Sequence, residues 1–157
     1  MKRWAEFSLC RRYRYSLWRE WGPRTTYAMF IGLNPSTADE TSDDPTIRRC
    51  IRFAQDWGYG ALCMTNAFAF KATDPRVMKR EADPIGPEND WRLKELARGA
   101  GVVVAAWGVH GTHLGRDQWL HLHVPGLHYL RLTKDGHPGH PLYLPADLRP
   151  KPWLEWR

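Results

Sequence analysis

Three stretches of this chain leave almost no room for a wet face. They are Tyr27–Leu33 (YAMFIGL), Gly101–Gly108 (GVVVAAWG) and Ala61–Asn66 (ALCMTN), the last apolar until its final two residues. A strand with one solvated side alternates apolar and polar residues. A strand that is apolar at every position must be covered on both sides. Segments of helical period separate the three, and alternation of buried strands with helices predicts a parallel sheet with helices on both faces.

The remaining elements follow from local signals. Arg12–Trp21 (RYRYSLWREW) alternates as a strand, with Tyr13, Tyr15 and Leu17 on one side and Arg12, Arg14, Ser16 and Trp18 on the other. Gly22-Pro23 reads as a turn, so this strand and Tyr27–Leu33 are expected to pair as a hairpin. Asp44 can cap a helix that has Pro45 in its first turn and Gly58 or Gly60 at its stop. Ile47, Cys50, Ile51 and Ala54 form its inner stripe. Residues 71–90 read as a long loop with three prolines. Helices are expected over Pro87–Ala100, with Leu93 and Leu96 inward, and over about Thr112–Leu122. A last strand is expected over His128–Thr133. The order β-β-α-β-α-β-α-β predicts one α/β domain, residues 1–157. Its expected form is a three-layer α/β/α sandwich around a central, mostly parallel four-stranded sheet, with an added N-terminal β-hairpin strand.

Composition narrows the class. Apolar residues at 43% and charged residues at 25% suit a globular core. No apolar run approaches the roughly 20 residues of a membrane span, and the N-terminal MKRWAEFSLCRRYRY has no apolar leader core. A cytoplasmic protein without membrane contact is therefore expected. Cys10, Cys50 and Cys63 are scattered and odd in number, which fits reduced thiols rather than a disulfide frame. The net charge is +6, and residues 1–26 carry seven basic residues against two acidic ones, a surplus of +5. A basic arm interleaved with aromatics suits a polyanion that carries bases, with Arg11, Arg12 and Arg14 as phosphate contacts. It equally suits a basic edge hairpin.

In parallel sheets ligands bind beyond the carboxyl ends of the strands. Here those ends carry Gly32-Leu33-Asn34-Pro35-Ser36, Thr65-Asn66-Ala67-Phe68, Trp107-Gly108-Val109-His110 and, further on, His137-Pro138-Gly139-His140-Pro141. Asn amides and imidazoles can read a heterocycle by hydrogen bonds. Asn does not titrate, so a His would supply the adjustable proton. The chain has no phosphate-binding glycine motif and no Ser-His-Asp order. His110/His113 and His137/His140 have metal-compatible spacing but no clear third ligand, so no metal and no cofactor are expected. Asp39, Glu40, Asp43 and Asp44 suit a helix start, and one of them near the pocket could act as a base.

The segments FIGLNPSTAD, DDPTIRRC, DPIGPEND, AWGVHG and HPLYL resemble the bacterial and phage family known as domain of unknown function 1643, from Trp18 to Trp153. More distantly, GLNPS, LCMTNAF, VVAAWG and HPGHPL are similar, in order, to four motifs of the uracil-DNA glycosylase superfamily, especially its mismatch-specific branch. That resemblance implies a glycosylase-like fold. It also implies that Asn34 positions a water and that Asn66 reads the base edge. His140, or else His137, would donate to the departing base, and Leu142 would fill the gap left by a flipped base. Gly32, Leu33, Pro35, Ser36, Phe68 and Trp107 would surround the base. The chain departs from the superfamily in one extra residue within its His-Pro motif and in having Asn34 where the strongest enzymes use Asp. It also has no clear counterpart of the base-stacking aromatic, and it lacks the four cysteines of the iron–sulfur branches.

The expected function is hydrolysis of an N-glycosidic bond to a damaged or modified base in DNA, by a monomer. The competing expectations are a non-catalytic nucleic-acid or modified-base binding module and an enzyme on a free nucleoside or nucleotide.

Overall fold

The computed structural model describes residues 1–23 and 26–154. Its elements are β1 (Lys2–Phe7), β2 (Arg14–Glu20), β3 (Ala28–Gly32), α1 (Pro45–Asp56), β4 (Ala61–Asn66), α2 (Pro75–Arg80), α3 (Asn89–Gly99), β5 (Val102–Ala105), α4 (Arg116–His123), β6 (Leu127–Tyr129) and β7 (Lys151–Pro152). Short 3₁₀ segments occupy Val109–Gly115 and Pro141–Tyr143.

The strands form a seven-stranded sheet in the order β1-β2-β4-β3-β5-β6-β7. β4, β3, β5 and β6 run parallel, and β1, β2 and β7 add antiparallel edges. The sheet is thus larger than the four central strands and one added hairpin strand expected. β3 is buried at all five positions and β5 at all four, as their unbroken apolar sequences require. Ile47, Cys50, Phe53 and Ala54 of α1 pack on one face against Phe30, Leu62 and Val104. Met78 of α2, Leu93 and Ala97 of α3 and Leu120 of α4 pack on the other against Met29, Ile31 and Val103. Helices therefore cover both faces.

Several expectations need correction. The proposed pairing of the Arg12–Trp21 strand with β3 does not form. Both edges of β3 are taken by the parallel partners β4 and β5, and β2 instead pairs with the far edge of β4. Its other partner is β1, a strand the sequence reading missed because its side chains are only half-buried. The 71–90 loop contains α2, started by Asp74 accepting from the Arg76 amide. The helix expected from about Thr112 is α4, which begins at Arg116 after a 3₁₀ segment kinked at His113 and Leu114. The last expected strand shrinks to Leu127–Tyr129. α1 is as its punctuation predicts: the Asp44 side chain accepts from the Ile47 amide, with Pro45 at the first position.

Much of the tryptophan content fills the interior. Trp18 stacks on Trp4 at 5.4 Å, Trp57 on Phe30 at 5.7 Å and Trp107 on Trp153 at 6.1 Å. No helix among the described residues is long and apolar enough to cross a membrane. Cys50 and Cys63 lie in the core and Cys10 is exposed.

Candidate functional site

β3 and β4 end side by side, and the chain keeps them parallel past the sheet. The Ala67 and Phe68 amides donate to the Gly32 and Leu33 carbonyls, at 2.8 and 2.9 Å. A cavity of about 210 Å³ opens there. Gly32, Leu33, Asn34, Pro35 and Ser36 line it from the β3 exit, and Asn66 and Met64 from β4. Asp44, Thr46 and Ile47 line it from the start of α1, Ala72 and Thr73 from the loop before α2, Pro75 from the start of α2, and His140 and Arg14 complete it. Asn34, Asn66 and His140 are therefore brought together from segments far apart in sequence.

Each of these groups has a defined hydrogen-bonding state. Asn34 Nδ2 donates to Ala72 O at 2.7 Å and Pro35 O at 3.2 Å, which leaves Oδ1 as its free acceptor. His140 Nδ1 accepts from the Leu142 amide at 3.2 Å, so a neutral ring carries its proton on Nε2. Burial pushes the His140 pKa below the ordinary range against the opposing charge of Asp44, which favours that neutral ring. Asn66 is buried, and its Oδ1 accepts from Arg14 Nη2 at 3.1 Å. Its backbone is held as well: Asn89 Nδ2 donates to the carbonyls of Asn66 and Ala67, and Arg116 Nε donates to that of Ala67. Gly32 is needed beside it, since a Cβ there would lie 2.8 Å from Met64 Cε and 3.1 Å from Asn66 Nδ2.

Three residues expected at the base, Phe68, Trp107 and His137, lie outside this lining. Phe68 is fully buried in the core on the α3 face, its ring against His113, and Trp107 is buried against Trp153. Each continues an apolar strand inward, so neither ring faces the cavity. His137 stands outside the lining, its amide donating to Thr133 Oγ1. Leu142 is half-buried outside it, whereas its neighbour Tyr143 is 82% exposed and packs against the His140 ring. Among the described residues no Phe, Tyr or Trp lines the cavity.

The N-terminal arginines also differ from a free basic arm. β1 and β2 make an edge hairpin, turned by residues 8–13 with Arg11 at φ 61°. Arg11 and Arg12 are exposed but paired, with Glu40 at 2.7 Å and Glu81 at 3.2 Å. Arg14 is not on the surface at all: it is 2% exposed and lies at the cavity. Asp44 and Arg14 are the functional-site residues the sequence reading underused. Asp44 stood only among four helix-start acids, yet it alone of the four lines the cavity; Asp43 binds Arg19, Asp39 caps its own turn and Glu40 binds Arg11. The described residues contain no group of three or more His, Cys, Asp or Glu placed to hold a metal ion.

The fold and cavity define a mixed α/β protein with a small polar pocket at the carboxyl edge of its parallel strands. The chain belongs to the family described as "Protein of unknown function (DUF1643)", whose model matches residues 14–142. No curated protein matches it, and no solved structure does.

Proposed function

We propose that the protein hydrolyses the N-glycosidic bond of a damaged or modified base in DNA. The observation that carries the reading is the meeting of Asn34, Asn66 and His140 at one cavity with complementary free groups. Breaking the bond between sugar carbon and base nitrogen leaves positive charge on the sugar and an electron pair on the base. Asn66 Nδ2 and the His140 Nε2 proton donate to the base as that charge develops. Asn34 Oδ1 accepts from a water and aims it at the sugar carbon. The water loses its proton on attack, and Asp44, the one carboxylate of the lining, receives it. The cavity is smaller than the ~300–1,000 Å³ typical of drug-sized ligand sites, which suits a single ring system. In duplex DNA the base must first be flipped out, at a cost of a few kcal/mol. The exposed Tyr143 ring at the His140 side is better placed than Leu142 to occupy the vacated stack.

A second reading has a specific observation behind it. Arg11 and Arg12 are neutralised by carboxylates and Arg14 is buried, so the arm offers less to phosphates than its composition suggests. That favours a free nucleoside or nucleotide as substrate. One screen separates the two: purified protein is incubated with oligonucleotides carrying modified bases and with the matching nucleosides, and abasic sites and free bases are measured. Abasic sites on at least one oligonucleotide are expected. Base release from nucleosides alone replaces the DNA reading, and no release from any substrate ends both.

A further inference from the structure

Among the described residues three arginines are buried, and two of them meet a carboxylate: Arg19 meets Asp43 at 2.7 Å and Arg116 meets Asp90 at 2.6 Å. Arg14 forms no ion pair of that kind among the described residues. Its Nη1 donates to Ala38 O and its Nη2 to Asn66 Oδ1, both at 3.1 Å, while its Nε, also buried, has no partner. Asp44, in the same cavity lining, acts on the Arg14 charge without forming an ion pair; a buried cation with no directly bonded carboxylate is costly, so the position calls for a reason.

The backbone is shaped to put it there. Glu6 of β1 faces Ser16 of β2, but the next residue, Phe7, faces Arg14, so Tyr15 is inserted as a bulge. Strict alternation would place Arg14 with Ser16 and Trp18, towards the α3 face. The bulge reverses its side and sends it to Asn66, as bulges beside active sites commonly do. A guanidinium has only donors, whereas an amide has an acceptor end and a donor end. Bonded to Arg14, Asn66 must give it Oδ1 and turn Nδ2 away, into the space that Gly32 leaves open.

We infer that Arg14 is a positioning residue that locks the Asn66 amide with Nδ2 facing the cavity, so that the site takes a heterocycle presenting a carbonyl there and refuses one presenting an amino group. The inference deepens the base-binding part of the reading above and rests on it. The charge on Arg14 also draws electron density from Oδ1 and strengthens the Nδ2 donor. An amino group at that point meets a second donor, leaving both without an acceptor.

The test uses the full chain and four free bases: uracil and hypoxanthine, which carry a carbonyl where cytosine and adenine carry an amino group. Calorimetry or ligand-observed NMR gives their dissociation constants. Wild type should favour each carbonyl base by about tenfold or more, equivalent to about 1.4 kcal/mol. Arg14→Met should bring the ratio to within about twofold, and Arg14→Lys, which keeps a donor for Oδ1, should restore most of it. In an Asn66→Ala background Arg14→Met should change the ratio no further. A merely structural role would lower the melting temperature without moving the ratio. A wild-type ratio near one, no binding of any base, or an unchanged ratio in a folded Arg14→Met protein overturns the inference. If Arg14→Met does not fold, the wild-type ratio and Arg14→Lys decide. The oligonucleotide screen run on the same proteins keeps the two claims apart. An Arg14-dependent preference without cleavage upholds the inference and removes the hydrolase. Cleavage with an unchanged ratio does the reverse.

Discussion

The two ends of β2 bury the same side chain and use it differently. At one end Arg19 is fully buried, bonded to Asp43 and to the carbonyls of Trp18, Asp39 and Ser42. It ties the 39–43 segment to the sheet, and its charge is cancelled where it stands. At the other end Arg14 is equally buried, with a carbonyl and an amide oxygen for company. Burial holds its pKa down at about 10, so it stays charged at neutral pH. The difference separates a cation bonded to a carboxylate from one bonded to a carbonyl and an amide oxygen beside the cavity. Burial alone does not distinguish them; the partner does.

The strongest way to break that comparison is Arg19→Met. Removing it strands Asp43 and two loop carbonyls, and urea unfolding should show a loss of about 3–5 kcal/mol. Arg14→Met breaks no ion pair and removes a buried charge that Asp44 offsets only without direct bonding, so its loss should be about 1–2 kcal/mol. Equal losses would mean that Arg14 is structural in the same sense as Arg19.

Between these in size stands Asn34→Ala. Under the hydrolase reading it should lower single-turnover cleavage by about 10²-fold, the cost of losing one oriented group. Because Nδ2 also staples Ala72 O, melting should fall with it, by about 1 kcal/mol. Unchanged cleavage would leave the residue a loop staple only.

Acid pH sharpens the comparison through the buried histidines. Burial holds His140 below its ordinary pKa and brings His121 down to about 4. Below the unfolded value of about 6.5 the unfolded chain therefore binds more protons than the folded one. Stability should be full above about pH 6.5 and fall as pH drops towards 4. Thermal melts across that range should show the slope, and His121→Gln should reduce it.

The smallest effect is expected at the exposed arginines. Arg11→Gln and Arg12→Gln each break a surface pair and should change stability by about 0.5 kcal/mol or less. If they contact duplex phosphates despite their partners, each should flatten the salt dependence of DNA binding by about 0.9. An unchanged slope would confine them to the hairpin.

Legibility followed the range of the interaction. Pro45 after a capping Asp44 announced α1 because a helix start is settled within four residues. β3 and β5 were legible because a strand buried on both faces needs apolar residues at every position. β1 was missed, since a half-buried edge strand leaves only a weak pattern. Phe68 and Trp107 were misplaced because an apolar ring at a strand end reads the same whether it faces a ligand or the core.

By itself the sequence determined the alternation of strands and helices, the cover on both sheet faces, and the set of strand ends that would carry polar groups. Those follow from periodicity and local hydrogen bonding. Only the tertiary structure decided which partner each strand took, because β3 has two edges and both were filled by long-range crossovers. Only it brought Arg14 to the cavity that Asn34, Asn66 and His140 line, and singled out Asp44 among the helix-start acids. The fate of Arg14 turned on one inserted residue, Tyr15, whose bulge appears only when β1 lies alongside β2. A side chain's face is fixed by the register with its neighbour, and register is a property of two strands rather than one.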